Sequence, residues 1–92
     1  MKEYIFNNQT YTLEKEEGEC FNYDETKERV TDYFKEYDYI FGDVSYGKIR
    51  LKGFYDEKRK CAKKLNNIKF LDEYLNHYCA FGCKWFLLKK MQ

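Results

Sequence analysis

The sequence predicts an α+β domain: an antiparallel or mixed sheet with two packed helices, in the order β-β-α-β-β-α-β. Three observations carry this expectation. Short β-rich runs are bounded by turns containing Asn or Gly, and two other segments repeat apolar residues at helical spacing. Each helical segment has a single apolar stripe, which must be buried against something, and a sheet is the economical partner. With 92 residues the chain forms one domain, 1–92.

The first hairpin is read from Glu3-Tyr4-Ile5-Phe6 and Thr10-Tyr11-Thr12-Leu13-Glu14 around an Asn7-Asn8-Gln9 turn. Residues 15–21, acidic and holding Gly18, read as a loop. Asn22 and Glu25 have the spacing of a capping box. Val30, Tyr33, Phe34 and Tyr37 then follow at helical spacing, so helix one is expected from about 23 to 37. Tyr39 to Val44 and Lys48 to Tyr55 are strands joined by Ser45-Tyr46-Gly47. In the second of them Ile49 and Leu51 face one way, and Lys48, Arg50 and Lys52 the other. That alternation implies a core on one side only. Residues 56–67 read as a lysine-rich solvated loop. Ile68, Leu71, Tyr74, Leu75 and Tyr78 mark helix two, which Gly82 would end, and Lys84 to Lys89 is the last strand.

Two of these segments also resemble a known family. Asp38-Tyr39-Ile40-Phe41-Gly42-Asp43, Tyr46-Gly47 and Arg50-Leu51-Lys52-Gly53-Phe54-Tyr55 form one motif. Leu71-Asp72-Glu73-Tyr74-Leu75, Tyr78-Cys79-Ala80-Phe81-Gly82-Cys83 and Leu87-Leu88-Lys89-Lys90 form the other. Together they resemble the YutD-like family of small bacterial proteins, from about Phe21 to Lys90. The resemblance implies a cytoplasmic protein and brings no catalytic residues with it.

Composition narrows the function classes. The chain is 43% hydrophobic and 21% aromatic with no proline, which excludes a disordered or collagenous chain. Its longest apolar runs are three or four residues, against the roughly 20 of a membrane helix. Met1-Lys2-Glu3-Tyr4 leads into polar sequence, unlike a secretory signal. The expectation is a cytoplasmic protein without a membrane partner. Charge is unevenly placed: residues 1–43 hold five Lys or Arg against twelve Asp or Glu, and residues 44–69 hold nine against two.

This asymmetry makes the basic segment the main binding candidate. Lys48, Arg50 and Lys52 share a strand face, Tyr46 and Tyr55 flank it, and Lys58, Arg59 and Lys60 follow. Cations beside exposed rings suit an acidic protein surface, or RNA held through phosphates and stacked bases. The expected function is therefore a non-enzymatic protein-binding domain acting through this basic strand and loop. The alternative is an RNA- or ribosome-associated accessory protein using the same surface. Against both stands a plain solvated face, since Lys outnumbers Arg 14 to 3 as an AT-rich genome would dictate.

The other chemical groupings are weaker. Cys79-x-x-x-Cys83 with His77 has one short-spaced pair of metal ligands where a structural zinc site uses two. Packing at a helix end and a redox dithiol are the other readings of those cysteines. His77 and Cys79, two apart on a helix, face nearly opposite ways. Asp38 and Asp43 would form a carboxylate pair only if a bulge restored their phase on the strand. No phosphate loop, dinucleotide motif or nucleophile elbow occurs, so no cofactor is expected and no enzyme activity is read.

Overall fold

The computed structural model describes residues 3–45, 47–60, 63, 66–78 and 84–91. Its first hairpin pairs β1 (Glu3–Phe6) with β2 (Gln9–Glu17). Asn7 and Asn8 fill the two-residue turn at φ 52° and 66°, left-handed values that Asn tolerates better than most residues. β2 runs through Glu17, so residues 15–17, expected in a loop, are strand. The reason is tertiary. Beyond a register shift at Glu14, Lys15, Glu16 and Glu17 pair with Leu87, Phe86 and Trp85 of the final strand, a partner no local signal announces.

Helix α1 spans Tyr23–Arg29, and the Asn22 side-chain oxygen accepts from the Glu25 N–H at 3.0 Å. The helix stops well short of residue 37. Val30 is extended, Thr31 is extended, and the Thr31 hydroxyl accepts from the Tyr33 N–H to start a separate 3₁₀ turn, Asp32–Phe34. Two successive β-branched residues, the second a good cap, favour this break over helical continuation. Its consequence is that Val30 and Phe34 reach the core while Tyr33, expected on the same stripe, is 64% exposed.

Strands β3 (Tyr39–Ser45) and β4 (Lys48–Phe54) form the second hairpin. A 3₁₀ turn at Ile68–Phe70 leads into α2 (Leu71–Tyr78), and β5 (Trp85–Lys90) closes the fold. The sheet order is β1-β2-β5-β3-β4, and every strand pairing is antiparallel. An isolated parallel bridge joins Tyr55 to Asn67. The element order is the one expected; Gly82, expected to end helix two, lies outside the described residues.

The sheet is covered on both faces, so the expectation of a one-sided core is corrected. One face buries Phe6, Tyr11, Val30, Phe34, Ile40 and Phe86 beneath α1 and the first 3₁₀ turn. The other buries Phe41, Phe54 and Leu87 beneath Leu71 of α2. Phe54 follows Lys52 on the supposedly charged face of β4, yet is fully buried. Lysines can cover such a face with their alkyl stems while their ammonium groups stay in water.

Two glycines make room for this packing. The Phe86 ring lies against Gly42, and the Tyr37 ring against Gly53, each where a Cβ would stand. Gly42→Ala is expected to lower stability by about 1–3 kcal/mol through overpacking. Gly47→Ala, at φ 75° with nothing nearby, should cost only about 1 kcal/mol in backbone strain. Urea unfolding of both variants checks the order, and equal losses would refute the packing argument.

Candidate functional site: a basic strand and an anchored turn

The hairpin β3–β4 decides where the basic residues go. Ser45 pairs with Lys48, leaving two residues between the strands, and this register sets Asp43 opposite Arg50. One more residue in the turn would have put Arg50 opposite Gly42. Asp43 is 2% exposed, and Arg50 reaches it with both Nε and Nη2 at 2.9 Å. The guanidinium fork matches both carboxylate oxygens, the arrangement in which arginine is not replaceable by lysine.

A second arginine does the same at the other end of the strand. Asp38, buried at the start of β3, accepts from Arg59 Nε at 3.0 Å and Nη2 at 2.9 Å, and from the Asp56 N–H at 2.9 Å. Burial pushes its carboxyl upward, but the Arg59 hydrogen bonds, the Asp56 amide, and the charges of Arg59 and Lys90 outweigh burial. The group therefore sits below the ordinary carboxylate value. These are the two ion pairs among the described residues. They also answer the question of a carboxylate dyad: Asp38 and Asp43 each hold their own arginine.

The other sequence candidates separate accordingly. Lys48, Lys58 and Lys60 are exposed. Lys52 is partly buried, its ammonium 5.3 Å from the Phe54 ring and 5.5 Å from the Tyr74 ring. Tyr55 is not the exposed stacking ring expected. It is 8% exposed and packs on Tyr37 with ring centroids 4.7 Å apart. Residue 55 shares strand parity with Ile49 and Leu51, so its ring lies on the face opposite Lys48, Arg50 and Lys52. Tyr37 in turn meets the Tyr33 hydroxyl at 3.2 Å, and this hydrogen bond, with burial, raises the Tyr37 hydroxyl's pKa. Tyr46 lies outside the described residues.

The loop 56–67 is anchored where it leaves and rejoins the sheet. The Tyr55 N–H donates to Asn66 O at 2.7 Å and the Ile68 N–H to Tyr55 O at 2.9 Å. His77 is exposed on α2; Cys79, Cys83 and Cys61 lie outside the described residues, while Cys20 donates its thiol to Glu17 O. Among the described residues no three His, Cys, Asp or Glu side chains converge as metal ligands. No helix among them is long and apolar enough to cross a membrane.

Sequence reasoning missed Asp38 and Asp43 as arginine acceptors. The Asp43–Arg50 pair had a signal, because opposite charges facing each other across a hairpin stabilise it. The Asp38–Arg59 pair, 21 residues apart, had none.

Fold and site together define a small α+β domain class: a five-stranded antiparallel sheet with helices on both faces, and a basic edge strand and turn held by buried aspartates. The chain belongs to the YutD-like family, whose model, described as "Putative antitoxin YutD-like", matches residues 5–89. It is 46% identical over 72 residues to "Putative antitoxin YutD" of Bacillus subtilis (strain 168), covering 78% of this chain and 79% of that one. It also matches the solution NMR structure of protein yutD from B. subtilis, with a TM-score of 0.82 and 38% identity. That match covers 100% of this chain and 84% of the other.

Two measurements follow. Arg50→Ala leaves a buried carboxylate without its guanidinium, and urea unfolding should show a loss of about 1–3 kcal/mol. Asp38 has a lowered pKa in the folded chain, so its stabilisation is fully present above the unfolded value, about 3.9, and disappears as pH falls through the folded one. Stability measured from pH 6 to pH 2 should therefore fall less steeply in Asp38→Asn, which starts lower, than in the unaltered chain.

Proposed function

We propose that this domain is a cytoplasmic, non-enzymatic protein-binding module that docks an acidic partner through Lys48, Lys58 and Lys60, with the rim of Arg50 and Lys52 beside them. The observation that carries the reading is the division of labour between the cations. Both arginines of the segment hold buried aspartates of the domain itself, while Lys48, Lys58 and Lys60 are exposed and pair with no described carboxylate.

From Lys48 to Phe54 the strand spans about 20 Å, a length that suits a protein interface of ordinary size. Point charges along it steer an oppositely charged surface and raise its association rate. The antitoxin names of the relatives suit a protein that works by binding. RNA is the weaker reading. Tyr55, one of the two rings expected to stack a base, is buried on the other face, and the guanidinium forks that best grip phosphate are engaged with carboxylates.

The test is retention on immobilised poly-L-glutamate and on immobilised polyuridylate. The unaltered chain should bind poly-L-glutamate at low salt and elute as the Debye length shrinks toward 3 Å near 1 M. Lys48→Glu with Lys58→Glu and Lys60→Glu should weaken retention at least about tenfold. Unchanged retention in that variant, or stronger binding to polyuridylate, would overturn the proposal.

A further inference from the structure

The turn Asp56–Lys60 is held by hydrogen bonds to Asp38 and within itself, unlike an ordinary solvated lysine loop. Three of its amides have acceptors in Asp38 or in the turn itself. The Asp56 N–H donates to Asp38 Oδ2 at 2.9 Å, the Lys58 N–H to Asp56 Oδ1 at 2.9 Å, and the Arg59 N–H to Asp56 O at 3.0 Å. The Arg59 side chain then folds back over the turn to grip both oxygens of Asp38. Asp38 is itself fixed between two strands: its N–H donates to Phe54 O at 3.0 Å, and its carbonyl accepts from the Lys90 N–H at 2.9 Å. Behind the turn, the Tyr55–Asn67 bridge closes the neck of the loop.

Two consequences follow from this arrangement. The turn is no backbone nest for a phosphate, because the amides at 56, 58 and 59 already have acceptors. What it offers outward is Lys58 and Lys60 beside the exposed Glu57, with the Arg59 guanidinium drawn back onto Asp38. Holding such a turn in shape before binding removes part of the ordering cost from the association.

We propose that Arg59 is a positioning residue, clasping the Asp56–Lys60 turn to Asp38 so that Lys58 and Lys60 form a preformed docking element for a carboxylate-bearing segment of another protein. The inference rests on the proposed function and adds to it the part that shapes the surface. Arg59, the one guanidinium of the turn, acts through its neighbours and not as a contact.

The experiment compares Arg59→Lys, Lys58→Glu with Lys60→Glu, and the unaltered chain. Amide hydrogen exchange at Asp56, Lys58 and Arg59 is followed by NMR, and binding to poly-L-glutamate is measured on the same samples. Arg59→Lys keeps the charge but loses the two-pronged grip. Exchange at the three amides should quicken at least about tenfold, with the strand amides unchanged, and binding should weaken about fivefold to tenfold. Unchanged exchange in Arg59→Lys would show that Arg59 is not the clasp. Faster exchange with unchanged binding would show that the order of the turn plays no part in docking. Full binding by Lys58→Glu with Lys60→Glu, while its turn amides stay protected, would overturn the basic-surface reading and leave the clasp standing.

Discussion

β5 is the strand on which the rest of the domain depends. It pairs with β2 on one side and β3 on the other, and so joins two hairpins that would each be marginal alone. Its run Trp85-Phe86-Leu87-Leu88 sends Phe86 and Leu88 to one core and Trp85 and Leu87 to the other. A central strand buried on both faces needs such an unbroken apolar run. The two hairpins lie before it in sequence, so the sheet is complete only when β5 is in place.

A core this small is made largely of rings. Phe6, Tyr11, Phe41, Phe54 and Phe86 are each almost wholly buried, and neighbouring rings meet edge-on, as Phe21 with Phe86 and Phe41 with Phe54. That geometry sets the positive ring edge against the negative face and is favoured over a flat sandwich. Flat rings also need flat neighbours, which is why Gly42 in β3 and Gly53 in the edge strand β4 stand beneath the Phe86 and Tyr37 rings. The aromatic richness of the sequence is therefore mainly a folding requirement. The polar tips are used locally: the Tyr23 hydroxyl donates to Ile5 O at 2.8 Å on the edge strand β1, occupying a group that an exposed edge would otherwise offer to another chain.

The charges divide along a similar line. Arg50 and Arg59 reach in to buried carboxylates from the surface, because the planar fork satisfies both carboxylate oxygens at once. Lys48, Lys58 and Lys60 stay outside, where a compact, well-hydrated charge loses little by remaining in water. A basic segment that reads as one patch in the sequence is thus two things in space: internal braces at Arg50 and Arg59, and outward charges at Lys48, Lys58 and Lys60. The docking surface proposed above depends on both, since the braces hold the strand end and turn on which the lysines stand.

Short-range physics controls much of this fold. The two hairpins, the Asn22 cap, the second helix and the last strand were all legible from turn residues and periodicity, and the α+β order followed from them. The lysines at 48, 58 and 60 were legible as exposed for the same local reason. Tertiary structure decided the rest. β2 runs on to Glu17 because β5 arrives beside it, and helix one breaks at Val30 so that Val30 and Phe34 can both meet the sheet. Tyr55 is buried because Tyr37 packs on it from 18 residues earlier in the chain. Arg59 is an internal brace because Asp38 lies at the end of a strand 21 residues before it. Local preferences are worth a few tenths to about 1 kcal/mol each. Pairing with a distant strand or carboxylate exceeds that and overrides them, and where such a partner stands is known only once the chain has folded.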